Sequence, residues 1–68
     1  MNIGEAIREA EKEDGWITRI SWLREGPPLR IKPTDEEEGC LIQWMGHRLA
    51  HRWQPQAEDL VAEDWILY

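Results

Sequence analysis

The sixteen residues from Trp53 to Tyr68, W-Q-P-Q-A-E-D-L-V-A-E-D-W-I-L-Y, restrict the fold more than any other stretch. They hold the start of a helix and a strand, with almost no room for a loop between. Pro55 suits a helix opening because its missing N–H is one that the first turn leaves unpaired anyway. Glu58 and Asp59 then fall near the positive end of the helix dipole. Ala57, Leu60 and Val61 share one apolar face at helical spacing, and Trp65-Ile66-Leu67-Tyr68 is aromatic and β-branched, the composition of a strand. One short helix is therefore expected to turn directly into a closing strand.

The rest of the chain divides by the same rules. Asn2 with Glu5 three residues later forms a capping-box signal. Ile3, Ala6, Ile7 and Ala10 then make one apolar stripe, and Asp14-Gly15 stops the helix. From Trp16 to Trp22 the residues alternate, with Trp16, Thr18, Ile20 and Trp22 on one face and Ile17, Arg19 and Ser21 on the other, which predicts a half-buried strand. Gly26-Pro27-Pro28 predicts a turn, and Leu29 to Lys32 a short strand stopped by Pro33 and paired antiparallel with the first. Thr34 to Gly39 is an acidic loop. Leu41 to Met45 and Leu49 to Trp53 flank Gly46-His47 and read as a hairpin. The expected architecture is α+β, a single small domain over residues 1–68. An N-terminal helix and a short C-terminal helix pack on an antiparallel sheet of about four to five strands.

A chain of 68 residues buries only about 60% of the surface its unfolded form exposes, so its stability margin is small. Cys40 is the single cysteine, which rules out an internal disulfide and a four-cysteine metal site. Five tryptophans, at positions 16, 22, 44, 53 and 65, supply the bulk for a core, a subunit interface, or both. Trp16 and Trp44 are assigned to the core, and Trp53 and Trp65 to anchoring the closing helix. The net charge of -6 opposes direct binding to nucleic acid. No segment reads as a signal peptide or a membrane span, so a soluble cytoplasmic protein is expected.

Catalytic and metal chemistry find little support. Ser21 is the only serine and has no glycine-rich elbow around it. Fourteen acidic residues make accidental carboxylate pairs common, so such pairs carry no signal for acid–base work. His47 and His51 lack the further ligands of a tetrahedral metal site. The expectation is a protein that is not an enzyme and has neither cofactor nor metal. Asp35, Glu36, Glu37 and Glu38 form either a solvated loop or an interaction surface that imitates phosphates.

The order tryptophan, polar loop, acidic-apolar helical turn, A-E-D-W and an apolar end resembles the C-terminus of the phage Thoeris anti-defence sponge family, second type. The matching residues are Trp53, Gln54 to Glu58, Asp59-Leu60-Val61 and Ala62-Glu63-Asp64-Trp65. Met1 to Ile7 is similar to the family's opening helix, and Arg19-Ile20-Ser21-Trp22 stands where the family carries R-x-G-W. This chain departs from the pattern at Ser21 and at Leu23-Arg24, where the family has Gly and N-G. Its segment before the final hairpin is also shorter than in larger members.

The resemblance implies a homo-oligomer that sequesters, without destroying, a cyclic nucleotide immune signal: a cyclic ADP-ribose isomer or a cyclic dinucleotide. Such a ligand asks for stacking against its base and positive charge against its phosphates. Trp22, carried over by the motif, with Arg19 and Arg24 is the first candidate group, and Arg30, Lys32, Arg48 and Arg52 are further phosphate partners. In a regular strand Arg19 and Trp22 point to opposite faces, and either arginine can instead pair with the abundant carboxylates. The alternative is a protein–protein inhibitor of a host defence complex, for example an anti-CRISPR protein acting through Asp35 to Glu38. A third reading is a structural phage component without a ligand.

Overall fold

The computed structural model describes residues 1–25, 29–44 and 48–68. The expected turns at Gly26-Pro27-Pro28 and Gly46-His47 lie outside these residues. Among the described residues the order is α1 (Ile3–Lys12), β1 (Ile17–Arg19), α2 (Ile20–Glu25), β2 (Leu29–Lys32), β3 (Leu41–Trp44), β4 (Leu49–Ala50), α3 (Ala57–Val61) and β5 (Trp65–Leu67). The five strands form one sheet in the order β4-β3-β2-β1-β5, and every pairing is antiparallel. The α+β fold expected from the sequence is therefore the observed one.

Helix α1 begins as its sequence dictates. The Glu5 amide donates to Asn2 Oδ1 at 2.8 Å, and the Asn2 amide donates to Glu5 Oε1 at 2.9 Å. Two donors that the first turn leaves free are thus satisfied reciprocally. The helix ends as Asp14 takes a left-handed φ of 53° and the Gly15 amide bonds back to Ala10 O at 2.8 Å. Its apolar stripe lies on the sheet: Ala6 and Ala10 are buried together with Ile17, Ile31 and Trp65, while Ile3 and Ile7 pack at the margin. Ile17 and Ile31 face each other across β1 and β2, so the core sits at the centre of the sheet, on the side covered by α1.

Four expectations need correction. The segment Trp16 to Trp22 is not one strand: β1 covers only Ile17–Arg19, and the chain coils into α2 at Ile20. The last β1-like bond is the Ile20 amide to Asp64 O at 3.0 Å. The next amide, that of Ser21, bonds the Asp64 side chain as the chain coils. The apolar face of α3 is not a packing face either, since Leu60 and Val61 are 52% and 77% exposed and Asp59 is the residue that α3 buries. Trp44, assigned to the core, is 38% exposed because β3 lies one strand from the sheet edge. The second hairpin strand is shorter than its pattern and covers Leu49–Ala50 only, with Ile42 opposite Ala50 and Gln43 opposite Leu49.

Helix α3 starts at Ala57, two residues after Pro55. The Gln56 amide donates to Asp59 Oδ2 at 2.9 Å, a local cap in which the acid reaches back one turn. Strand β5 then lies against β1, with Ile17 opposite Leu67, Thr18 opposite Ile66 and Arg19 opposite Trp65. No helix among the described residues is long and apolar enough to cross a membrane.

Candidate functional site

The break from β1 into α2 governs the geometry of the site. In an unbroken strand Arg19 and Trp22 would point to opposite faces. Because the chain turns helical after Arg19, the Arg19 guanidinium carbon lies 6.0 Å from the Trp22 ring centre. Both side chains line one cavity of about 260 Å³, together with Ser21, Glu25, Gln56, Glu58 and Asp59.

Trp22 is fixed from behind by two other indoles. Its ring meets Trp65 edge-on at 5.1 Å and Trp53 at 6.4 Å, and Trp53 meets Trp65 at 6.0 Å. Edge-to-face contacts of this kind contribute about 0.5–1.5 kcal/mol per pair beyond area burial. Trp65 is fully buried, and its Nε1 donates to Asp59 O at 2.9 Å, which ties the triad to α3. Trp65 thus anchors the closing helix as expected, and Trp53 packs on Trp65 and Trp22.

Arg19 is the electrostatic hinge of the site. It is 8% exposed, and its Nε donates to Asp64 Oδ1 at 2.8 Å while Nη1 donates to Asp59 Oδ1 at 3.0 Å. Glu58 lies at 4.0 Å from Nη2. The bond to Asp64 raises the Arg19 pKa more than burial lowers it, so the guanidinium stays charged. Burial pushes the Asp64 carboxyl up, yet the Arg19 guanidinium and the Ser21 amide together outweigh it and hold Asp64 below its ordinary value of 3.8. A carboxylate with a depressed folded pKa contributes stability that is present above the unfolded value and lost as pH falls through the folded one. Thermal unfolding followed from neutral pH downward should therefore show a decline below about pH 4 that is shallower in Asp64→Asn. An unchanged acid limb in that variant would contradict the assignment.

The other residues marked by the sequence are spread over the molecule. Arg24 is exposed on α2, one residue before Glu25 of the cavity. Arg30 is elsewhere: it alternates with the buried Ile31 on β2 and so lies on the sheet face away from α1. There its guanidinium carbon sits 4.0 Å from the Trp16 ring centre and 5.6 Å from that of Tyr68, and its Nε donates to Gln43 Oε1 at 2.8 Å. Lys32 is held by Asp14, with Nζ at 2.7 Å from Asp14 Oδ1. Asp35, Glu36, Glu37 and Glu38 are exposed. Their loop is shaped by the Glu36 amide on Thr34 Oγ1 at 3.1 Å and the Arg52 amide on Glu38 O at 3.0 Å, and Glu38 also pairs with His51 Nδ1 at 3.0 Å. His47 lies outside the described residues.

The sequence reading missed Asp59, Asp64, Glu25, Glu58 and Gln56 as parts of the site. Asp59 and Asp64 stand in the stretch used for the family resemblance, but nothing in local spacing reveals that both turn toward an arginine forty and forty-five residues earlier.

The cavity can stack a planar group on Trp22 and offer hydrogen-bond acceptors from Glu25 and Glu58 together with the amide of Gln56. Its single cation is already engaged by two carboxylates. Comparison with the curated proteins and with the solved structures returns no match. A family model described as Tad2-like, Thoeris anti-defense 2-like domain, matches residues 1–68. With both the helical opening and the Asp64-Trp65 end inside that match, the chain belongs to the Tad2-like anti-defence family.

Proposed function

We propose that this anti-defence protein is phage-encoded and sequesters a small cyclic nucleotide signal of a bacterial immune system, binding it without chemical change. The observation that carries the reading is the convergence of Trp22 and Arg19 on one cavity of about 260 Å³, in a chain of the anti-defence family. Ligand sites usually measure about 300–1,000 Å³, so this cavity suits one nucleoside rather than a whole cyclic dinucleotide or cyclic ADP-ribose isomer. The base stacks on Trp22, Gln56 and Ser21 meet its polar edges, and Glu25 and Glu58 accept hydrogen bonds from ribose hydroxyls.

Phosphates need another source of charge, because the cavity carries three carboxylates against an arginine already paired. Arg24, beside the rim, supplies one cation, and a second copy of the chain supplies the rest. Arg30 faces the opposite side of the sheet, so within one copy it cannot share a ligand with Trp22. A homo-oligomer with the pocket at a subunit interface follows from this reading.

Calorimetry with cyclic ADP-ribose isomers and cyclic dinucleotides tests it. At least one should release binding heat, and Trp22→Ala should weaken that ligand by about five- to a hundredfold, the equivalent of about 1–3 kcal/mol for a stacked base. No heat with any of them would sink the reading.

A second reading rests on the exposure of all four carboxylates from Asp35 to Glu38 on a backbone-shaped loop: an inhibitor that docks on a basic channel of a defence complex, in the manner of an anti-CRISPR protein. Reversing charge at Glu36 and Glu37 separates the two. It should leave nucleotide heat unchanged, whereas an electrostatic inhibitor would lose its target and its steep salt dependence.

A further inference from the structure

Helix α2 has no visible reason of its own to form. It is six residues long, I-S-W-L-R-E, little more than one and a half turns, and isolated helices of that length are not stable in water because the first turn is costly to nucleate. Ile20, Ser21 and Trp22 are not strong helix formers. The residue before it, Arg19, ends a strand and has no capping oxygen. The alternation from Trp16 to Trp22 favours continued strand instead, an outcome that would send Trp22 and Arg19 to opposite faces and leave no cavity between them.

What interrupts the strand comes from the far end of the chain. Asp64, just before β5, accepts three bonds at this one point: the Ile20 amide on its backbone carbonyl at 3.0 Å, the Ser21 amide on Oδ2 at 3.0 Å, and Arg19 Nε on Oδ1 at 2.8 Å. The β1–β5 register, with Arg19 opposite Trp65, is what carries the carboxylate to this place. One oxygen satisfies an amide of the first helical turn, as a local cap would, and the other locks the arginine that precedes it.

We propose that Asp64 is a positioning residue for the Trp22 cavity: supplied from far along the same chain by the segment before β5, it turns the chain from β1 into α2 and so sets Trp22 and Arg19 on one wall. It does not line the cavity and needs no contact with ligand. Its effect on affinity rests on the nucleotide reading, whereas its effect on α2 does not.

The test uses the full chain with Asp64→Ala and Asp64→Asn. Asparagine keeps a side-chain oxygen for the Ser21 amide, and alanine keeps none. In Asp64→Ala, amide hydrogen exchange across Ser21–Glu25 should quicken about tenfold, the scale of a lost cap. The near-ultraviolet circular dichroism of the coupled Trp22, Trp53 and Trp65 rings should fall with it. Asp64→Asn should restore both signals to near the wild-type level, and where a cyclic ADP-ribose isomer or cyclic dinucleotide binds the wild type, Asp64→Ala should lose affinity by about tenfold and Asp64→Asn recover most of it.

Wild-type exchange at α2 in Asp64→Ala overturns the proposal, and so does an asparagine variant no better than alanine, since Asp64 would then act through its charge alone. If Asp64→Ala does not fold, the same measurements on Asp64→Asn decide: intact α2 protection supports the cap, and lost protection overturns it. If no nucleotide binds the wild type, the functional reading fails while exchange and dichroism still judge Asp64.

Discussion

Replacing Arg19 by alanine is expected to lower stability at neutral pH by about 3–5 kcal/mol, the largest effect of any single substitution outside the core. Arg19 is 8% exposed and Asp59, which it bonds, is also 8% exposed. Taking away the cation leaves a buried carboxylate and the half-buried Asp64 facing each other without compensation. Breaking a buried ion pair from one side costs about 3–5 kcal/mol. A domain of 68 residues has a total stability of only about 3–10 kcal/mol at the usual 0.05–0.15 kcal/mol per residue. The loss therefore consumes from about a third of the margin to all of it. Arg19→Lys, which keeps the charge but not the two-pronged geometry, should unfold cooperatively at a lower temperature than the wild type. Far-ultraviolet dichroism in a urea series measures both. A fully cooperative Arg19→Ala within about 1 kcal/mol of the wild type would show that the network stabilises little.

The second large effect is expected at Trp65. Its ring is completely buried, stands edge-on to Trp22 and Trp53, and donates to Asp59 O. Trp→Ala in such a position costs about 3–5 kcal/mol from lost transfer and the cavity left behind. Trp65→Phe keeps most of the packing but leaves the Asp59 carbonyl without its donor, a penalty of about 1–3 kcal/mol. The expected order of stability is wild type, then Trp65→Phe, then Trp65→Ala. Trp44→Ala, on a 38% exposed ring, belongs near the wild type. Thermal unfolding of the four proteins under one buffer ranks them, and a Trp44 variant that falls below Trp65→Ala would reverse the assignment of the core.

Where local chemistry decides, the sequence was legible. The capping box of Asn2 and Glu5, the stripe through Ala6 and Ala10, the Asp14-Gly15 stop and the strand Leu29–Lys32 all depend on neighbours within a turn or on a period of two. The parts that were not legible depend on residues far apart in the chain. Alternation from Trp16 to Trp22 is a sound strand signal, but Asp64 binds Arg19 and the Ser21 amide where the chain coils into α2. The face of α3 was read from hydrophobicity, which places Leu60 and Val61 inward. Burying Asp59 against Arg19 turns the helix the other way. Both errors have one cause, an ion network closed over more than forty residues.

That cause also explains the site. Trp22 was reachable through its motif and Arg19 through its neighbourhood, yet the alternation along the same stretch placed them on opposite faces. The carboxylates around them carried no local mark among the fourteen acids of the chain. The exposed apolar side chains of α3 and the small core of Ala6, Ala10, Ile17, Ile31 and Trp65 fit a chain that completes its burial against further copies, as the proposed shared pocket requires.

Native mass spectrometry of the intact protein, incubated in turn with each cyclic ADP-ribose isomer and each cyclic dinucleotide, bears on sequestration most directly. The expected result is an oligomer that carries a nucleotide and releases it with unchanged mass on denaturation. An assembly that carries none of them, or a nucleotide recovered in hydrolysed form, would contradict the proposal that the protein binds its signal without destroying it.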